Sequence, residues 1–277
     1  MREVRVLKGH GTGNDFVLLP DLDGDLDLTD EMVQALCDRR FGIGGDGVLR
    51  VVRSAACDDP DATGAEFFMD YRNADGSSAQ MCGNGIRVFA RFLAEEGLAD
   101  PAGMDIATRG GVLHVRRLAS GEYAVGMGTA TGMEAIASVM VGNRSYPATG
   151  VHVPNPHAVV FVTSVGSAGP LDRAPEVSPE HLFPEGVNVE FVEQIAPGHV
   201  RMRVHERGVG ETLSCGTGAC AVAWVVRRRG DAPERIRVDV LGGTLHVEER
   251  DGELELIGPA IIVADGTLEA DWAAAWN

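Results

Sequence analysis

Two cysteines stand in matching surroundings. Cys82 closes NADGSSAQMC, which starts at Asn73, and leads into Gly83, Asn84 and Gly85; Cys215 closes ERGVGETLSC, which starts at Glu206, and leads into Gly216, Thr217 and Gly218. In both stretches the thiol lies nine positions after the first residue, 73 to 82 and 206 to 215. The glycines let the backbone approach a ligand closely and leave the first N–H groups of a following helix uncovered. Such N–H groups and the positive end of the helix dipole suit an anion, either a thiolate or a substrate carboxylate, so both thiols are expected to be acidic. One cysteine of this kind suggests a nucleophile. Two of them suggest an acid–base pair working on one carbon from opposite sides, as inversion of a stereocentre next to a carboxylate requires. The glycine turns would hold that carboxylate with backbone N–H groups, as an oxyanion hole does.

The elements that must position these thiols follow from the pattern of apolar residues. Ile86, Phe89, Ala90 and Leu93, with Val88 and Phe92 beside them, predict a helix apolar nearly all round and therefore buried, stopping at Gly97. Residues 217–226 predict a second, wholly apolar helix ending in Arg227–Arg229, cations that complement its C-terminus. Thr29 reads as the N-cap of a further helix carrying Met32, Val33, Leu36 and Cys37 on one face and ending near Arg39–Arg40. Strands are expected at Arg2–Leu7, within 41–52, at 66–71, in 186–195 and in 199–208. Gly9–Phe16 reads as a glycine-rich loop presenting His10 and Asn14, and Val151–Val162 as a loop with Asn155 and His157 before a strand. GGVLHV at 110–115 recurs as GGTLHV at 242–247, an offset of 132 against 133 between the cysteines. An internal duplication of about half the chain accounts for both. The expected architecture is α/β with two pseudo-symmetric lobes, each a β-barrel-like curved sheet around a buried central helix, the two helix N-termini meeting at a shared cleft. The lobes are 1–125 plus 260–277, carrying Cys82, and 126–259, carrying Cys215.

Composition narrows the function. A chain of 277 residues exceeds the usual single-domain size. A net charge of −17 argues against nucleic acid, whose phosphates need a basic face, and gives no support to binding an anionic membrane. No apolar run is long enough to span a bilayer, and the N-terminus lacks the apolar stretch of a signal peptide. Five cysteines, an odd number, do not suggest a disulfide framework, so a cytoplasmic location fits. Lys8 is the only lysine, which makes a Schiff-base cofactor unfavourable and points to a reaction without any cofactor. No C-x-x-C pair or H-x-x-x-H spacing suggests zinc.

NADGSSAQMCGNGIR, ERGVGETLSCGTGACA, GHGTGNDF and PNPHAVVF together resemble diaminopimelate epimerase, nearly end to end. The resemblance implies a pyridoxal-independent, two-base conversion of LL-2,6-diaminoheptanedioate to the meso form, for lysine and cell-wall precursor synthesis. It implies a small-molecule substrate as partner, with a homodimer as one assembly to test. It maps the acid–base pair onto Cys82 and Cys215, and the carboxylate-holding turns onto Gly83, Asn84, Gly216 and Thr217. Substrate contacts fall on Asn14, Asn73, Asn155, Asn188, Glu206 and Arg207, with Arg207 and the asparagines gripping the distal carboxylate. His157 and Glu206 would sit near the reacting amine and thiols, with their division of labour open. Two departures stand out: Gly47 where the family often has glutamine, and Pro154 where glycine is usual.

Blander readings suit other residues. Cys220 and Cys37 read as helix packing, Cys57 as a surface thiol, His10 as a loop hydrogen-bonder, and His114 and His246 as structural. Proline racemisation is the nearest rival reaction, but proline has no second carboxylate for Arg207. A cysteine hydrolase or a non-catalytic amino-acid binder would leave one thiol unexplained.

Overall fold

The computed structural model describes residues 3–184, 186–230 and 232–274. Arg2, expected to open the first strand, lies outside the described residues. The chain divides into two compact units, Met1–Val125 with Pro259–Asn277, and Gly126–Gly258.

The first unit begins with β1 (Arg5–Gly11), β2 (Asn14–Pro20), α1 (Asp30–Cys37), β3 (Gly47–Arg53), β4 (Phe67–Asn73) and α2 (Gly83–Glu95). It continues with β5 (Met104–Thr108), β6 (Gly111–Arg117) and the start of β7 (Tyr123–Thr129). The second unit holds β8 (Thr131–Val141), β9 (Arg144–Val153), β10 (Asn155–Val162), β11 (Glu176–Ser178), β12 (Asn188–Ala196) and β13 (His199–Glu206). Then come β14 (Gly210–Thr212), α3 (Gly216–Arg228), β15 (Arg235–Val240), β16 (Gly243–Arg250) and β17 (Glu253–Gly258). The chain returns to the first unit with β18 (Ile261–Thr267) and α4 (Ala270–Ala274).

Strand order shows the duplication directly. The first unit runs β18-β1-β2-β3-β4-β5-β6-β7, with β2–β3 and β4–β5 parallel and the other neighbours antiparallel. The second runs β8-β9-β10-β12-β13-β15-β16-β17, with β10–β12 and β13–β15 parallel and the rest antiparallel. The sequence of pairings is the same. In the first unit α2 packs on β18 and β1 at one end of the row and on β6 near the other, so the sheet curls around the helix. In the second, α3 packs on β9 and β10 and also on β16 and β17. The repeated GGxLHV segments become equivalent hairpin strands, β6 paired from Gly111 with Thr108 and β16 paired from Gly243 with Val240.

Both central helices are buried, as their apolar composition requires, with Ile86, Val88, Phe89 and Ala90 of α2 and Ala219 to Ala223 of α3 fully covered. Each fully buried valine, leucine or phenylalanine in such a core contributes about 1.5–3 kcal/mol. Arg87, in the middle of this apolar surface, is also fully buried, so α2 is less uniformly apolar than its sequence pattern suggests. β1 lies against α2 only because residue 9 is glycine; a Cβ there would come within 2.6 Å of Val88 Cγ1. Gly97 ends α2 in the left-handed region at φ 67°, and Leu98 N–H returns to Leu93 O.

Three local expectations need correction. Gly9–Phe16 is a tight hairpin, with Gly11 paired to Asn14. Thr12 and Gly13 take φ of 50° and 83°, the two positive values that a two-residue turn matching the twist of its strands demands. His10 and Asn14 are therefore strand residues, and so are Asn155 and His157 on β10. Helix α1 is capped by Thr29, whose Oγ1 accepts from Met32 N–H, but it ends at Cys37 with no cation in its last turn. No helix among the described residues is long and apolar enough to cross a membrane.

Candidate active site

Cys82 is the N-cap of α2, its backbone extended at φ −140°, and Gly85 N–H donates to Sγ at 3.4 Å. That position ordinarily takes serine, threonine, aspartate or asparagine because their oxygens satisfy an otherwise unpaired helix N–H. Here a sulfur does so. The thiol donates to Asn14 Oδ1 at 3.4 Å, and the same oxygen accepts from Asn84 Nδ2 at 3.2 Å. Asn84 is oriented in turn by Arg87, which donates to Asn84 Oδ1 and to Gly83 O at 2.9 Å each. Asn14 Nδ2 donates to Asp46 Oδ2 at 2.7 Å, so the Asn14 amide is held from both ends.

Cys215 repeats the cap at the head of α3, with φ −121° and Gly218 N–H donating to Sγ at 3.4 Å. Around it the chemistry differs. Thr217 Oγ1 is 3.5 Å away, Asn188 Nδ2 donates from 3.8 Å, and the Glu206 carboxylate acts on the thiol through its charge. Asn188 Oδ1 accepts the backbone N–H of Arg207 at 2.9 Å, linking that loop to the thiol. Burial, followed by the Glu206 and Glu190 carboxylates, pushes the Cys215 thiol well above the ordinary cysteine range. Hydrogen bonds from Thr217 and Gly218 pull the other way and are outweighed. The expectation that a helix N-terminus makes this thiol acidic is therefore reversed in the free protein. Burial likewise raises the Glu206 carboxyl above its usual range, against a hydrogen bond from Thr212.

The expected residues gather in two sets. Asn14, Gly83 and Asn84 surround Cys82, and Asn188, Glu206, the Arg207 backbone, Gly216 and Thr217 surround Cys215. Asn73 is tied to its own loop, donating from Nδ2 to Ser77 Oγ at 3.0 Å. The Arg207 side chain is exposed and passes Gly186, whose added Cβ would lie 3.0 Å from Arg207 Cδ. His157 makes no hydrogen bond to Cys215 among the described residues; its ring bridges Glu190 Oε1 at 2.6 Å and Asn155 Oδ1 at 3.0 Å. Glu206, and not His157, is thus a group whose charge raises the thiol. At Gly47 a Cβ would fall 2.4 Å from Arg72 O and 2.7 Å from Tyr71 Cε2, so this backbone has no room for the glutamine side chain. His10 Nδ1 accepts Gly13 N–H within the hairpin, and Cys220 is core.

Sequence reasoning missed Glu190, Asp46 and Arg87. Arg87 lies inside the quoted Cys82 motif and Asp46 in the segment 41–52 that was expected to hold a strand, and neither position by itself says what it orients. Glu190 was visible as an acidic residue in an alternating strand, but only the register reveals that it points inward. β2 pairs with β3 so that Phe16 meets Gly47, and β10 pairs with β12 so that His157 meets Asn188. The same shift of 141 relates 16 to 157, 47 to 188 and 49 to 190, which makes Glu190 the counterpart of Leu49. The helix glycines agree. A Cβ on Gly85 would touch Leu49 and Phe16 at 3.3 and 3.4 Å, whereas one on Gly218 would press on Glu190 Oε1 at 2.8 Å.

The fold is shared with solved structures of low sequence identity. A hydroxyproline epimerase from Agrobacterium vitis aligns with TM-score 0.65 and 14% identity over 98% of this chain and 93% of its own. A phenazine biosynthesis protein from Bacillus anthracis aligns with TM-score 0.69 and 17% identity over 97% and 100%. These likenesses show the fold; the class, an amino-acid epimerase, is set by the family model and the curated relatives. The family model for diaminopimelate epimerase matches residues 6–133 and 149–263. The diaminopimelate epimerase of Streptomyces coelicolor is 53% identical over 97% of this chain and 96% of its own length, and that of Thermobifida fusca is 46% identical over 96% and 98%. The chain belongs to the diaminopimelate epimerase family.

Proposed function

We propose that the protein converts LL-2,6-diaminoheptanedioate to its meso form by a cofactor-independent two-base reaction, with Cys82 and Cys215 as the acid–base pair. The observation that carries this reading is the identical capping of two buried helices by thiols, Gly85 N–H to Cys82 and Gly218 N–H to Cys215. Abstraction of the α-proton puts charge on the adjacent carboxylate. The backbone N–H groups at Gly83–Asn84 and Gly216–Thr217, in the first turns of α2 and α3, are the groups that would stabilise it. In the resting protein burial and two carboxylates favour the protonated Cys215 thiol. Glu206, whose charge acts on that thiol and whose own carboxyl is raised in pKa, would take up and return its proton.

Asn14, Asn73, Asn155, Asn188, Glu206 and Arg207 are the proposed substrate contacts, with the exposed Arg207 guanidinium suited in shape and charge to a distal carboxylate taken bidentately. Such a product would feed lysine and cell-wall precursor synthesis. The residue set contains no Schiff-base lysine beyond Lys8, whose Nζ is engaged by Asp15 and by Gly44 O.

The test is turnover by reduced, pyridoxal-free protein. LL-diaminopimelate should be converted to the meso isomer, with the activity lost in Cys82→Ala and in Cys215→Ala. Folded, reduced protein that leaves LL-diaminopimelate unchanged would overturn the assignment, and proline would be the next substrate to try.

A further inference from the structure

Glu190 is fully buried on β12, yet only one of its carboxyl oxygens is engaged. Oε1 lies 2.6 Å from His157 Nδ1, and Oε2 has no hydrogen-bond partner. His157 is fully buried as well, and its other nitrogen lies 3.0 Å from Asn155 Oδ1. Asn155 is half-buried at the start of β10, and among the described residues its Nδ2 has no partner. The three residues form one chain, from a sealed carboxyl to an amide whose other end is available.

His157 Nδ1 and Glu190 Oε1, 2.6 Å apart, are joined by one proton. His157 Nε2 faces the oxygen of Asn155 at 3.0 Å, and an amide oxygen only accepts, so the ring carries a proton on Nε2. The amide nitrogen of Asn155, with two N–H donors, is therefore turned away from the ring. In the first unit the equivalent Asn14 is oriented by other means, through Asn84 Nδ2 on its oxygen and Asp46 on its nitrogen. Thr217 stands where Asn84 stands and has no amide to offer. The buried pair takes over that task.

We propose that Glu190 is a positioning residue for epimerisation, acting through His157 to hold Asn155 with its N–H2 group presented to a substrate carboxylate. This rests on Asn155 being a substrate contact, as in the function proposed above. Gly218 belongs to the same device, because any side chain there would displace Glu190 Oε1 from the ring. Loss of the Glu190 carboxyl frees the imidazole to carry its single proton on Nδ1. Asn155 then turns its nitrogen inward and offers an oxygen to the substrate carboxylate, a repulsive contact in place of a donor.

Two readouts separate this proposal from the function it rests on. The first is the protonation of the His157 ring in the wild-type protein, observed by long-range proton–nitrogen correlation of 15N-histidine-labelled protein and assigned with His157→Phe. A proton on Nε2 is expected; a ring protonated on Nδ1 alone overturns the proposal whatever the substrate proves to be. The second is steady-state kinetics with LL-diaminopimelate. Glu190→Leu should raise KM about tenfold, the loss of one charge-assisted contact, with a much smaller change in kcat. The double variant His157→Phe, Glu190→Leu, which reproduces the packed Phe16–Leu49 pair, should do the same while keeping the core filled. Glu190→Gln, whose amide can donate to Nδ1, should recover most of the lost affinity. An unchanged KM in Glu190→Leu, or a Gln variant as impaired as the Leu variant, would overturn the proposal. Wild-type protein inactive on diaminopimelate but protonated at Nε2 would overturn the functional reading alone.

Discussion

In the first unit the helix that Cys82 caps rests the second glycine of its first turn, Gly85, on Leu49 and Phe16; in the second, Gly218 rests on Glu190, with His157 in the place of Phe16. All four of these residues are fully buried. Strand order, helix position, cap geometry and glycine turns are common to both units, so the framework alone does not decide what a thiol does. Cys82 is held by amides that Arg87 and Asp46 orient. Cys215 is held among carboxylates, and its thiol is raised where a helix N-terminus alone would lower it. A duplicated fold thus supplies two equivalent positions, and the residues behind each position give it distinct chemical surroundings.

The comparison can be broken at its common part or sharpened at its divergent part. The largest effect is expected at the common part: Cys82→Ala and Cys215→Ala should each lower kcat by on the order of 10²–10⁴-fold, since on the proposed mechanism each removes an acid–base group. Unequal losses, with one variant near wild type, would show that only one unit is catalytic. Next comes Leu49→Glu, which places a carboxylate behind α2 with Phe16 where the second unit has His157. Urea unfolding should show a loss of about 3–5 kcal/mol, because the buried charge has no partner. A loss near zero would mean that the first unit tolerates the chemistry of the second.

Glycine substitutions probe the same contact more gently. Gly218→Ala forces a Cβ to 2.8 Å from Glu190 Oε1 and should cost about 1–3 kcal/mol. Gly85→Ala meets its neighbours at 3.3 Å or more and gains helix propensity, so it should be close to neutral. Equal costs would contradict the assigned difference. The smallest effect is chemical. The Glu206 carboxylate raises the Cys215 thiol, so Glu206→Gln should lower it, and alkylation of Cys215 by iodoacetamide at mildly alkaline pH should accelerate. Mass spectrometry of the Cys82 peptide provides the control, with no comparable change.

Much of this framework is legible in the sequence. The nine-residue spacing to each cysteine, the glycine turns and the repeated GGxLHV segments locate the duplication, both central helices and both thiols. Asn14 and Asn188 could be named because they lie in recognisable motifs, and the structure brings each to its thiol. Glu190 could not, since alternation alone does not say which face of β12 is sealed, and the parallel pairing of β10 with β12 decides it. The raised thiol of Cys215 was equally hidden. Helix dipole and capping are local and can be read from spacing, whereas burial and the approach of Glu206 and Glu190 depend on tertiary packing. His10 and Asn14 were expected in a loop because Thr12-Gly13 looks like one end of a glycine-rich stretch, while positive φ at both residues closes a hairpin instead.

The central claim, that two thiols act as separate monoprotic bases, is tested most directly by early-time isotope incorporation in deuterium oxide. Wild-type protein would be given protiated LL-diaminopimelate, and product and recovered substrate would be isolated before equilibrium and analysed for α-deuterium. One thiol removes the proton and can return only that proton to the substrate, while the other delivers a solvent-derived deuteron to the opposite face. The account predicts deuterated meso product alongside recovered LL substrate that is still protiated. Deuterium appearing equally in both at the earliest times, or protium transferred intact into the product, would contradict it.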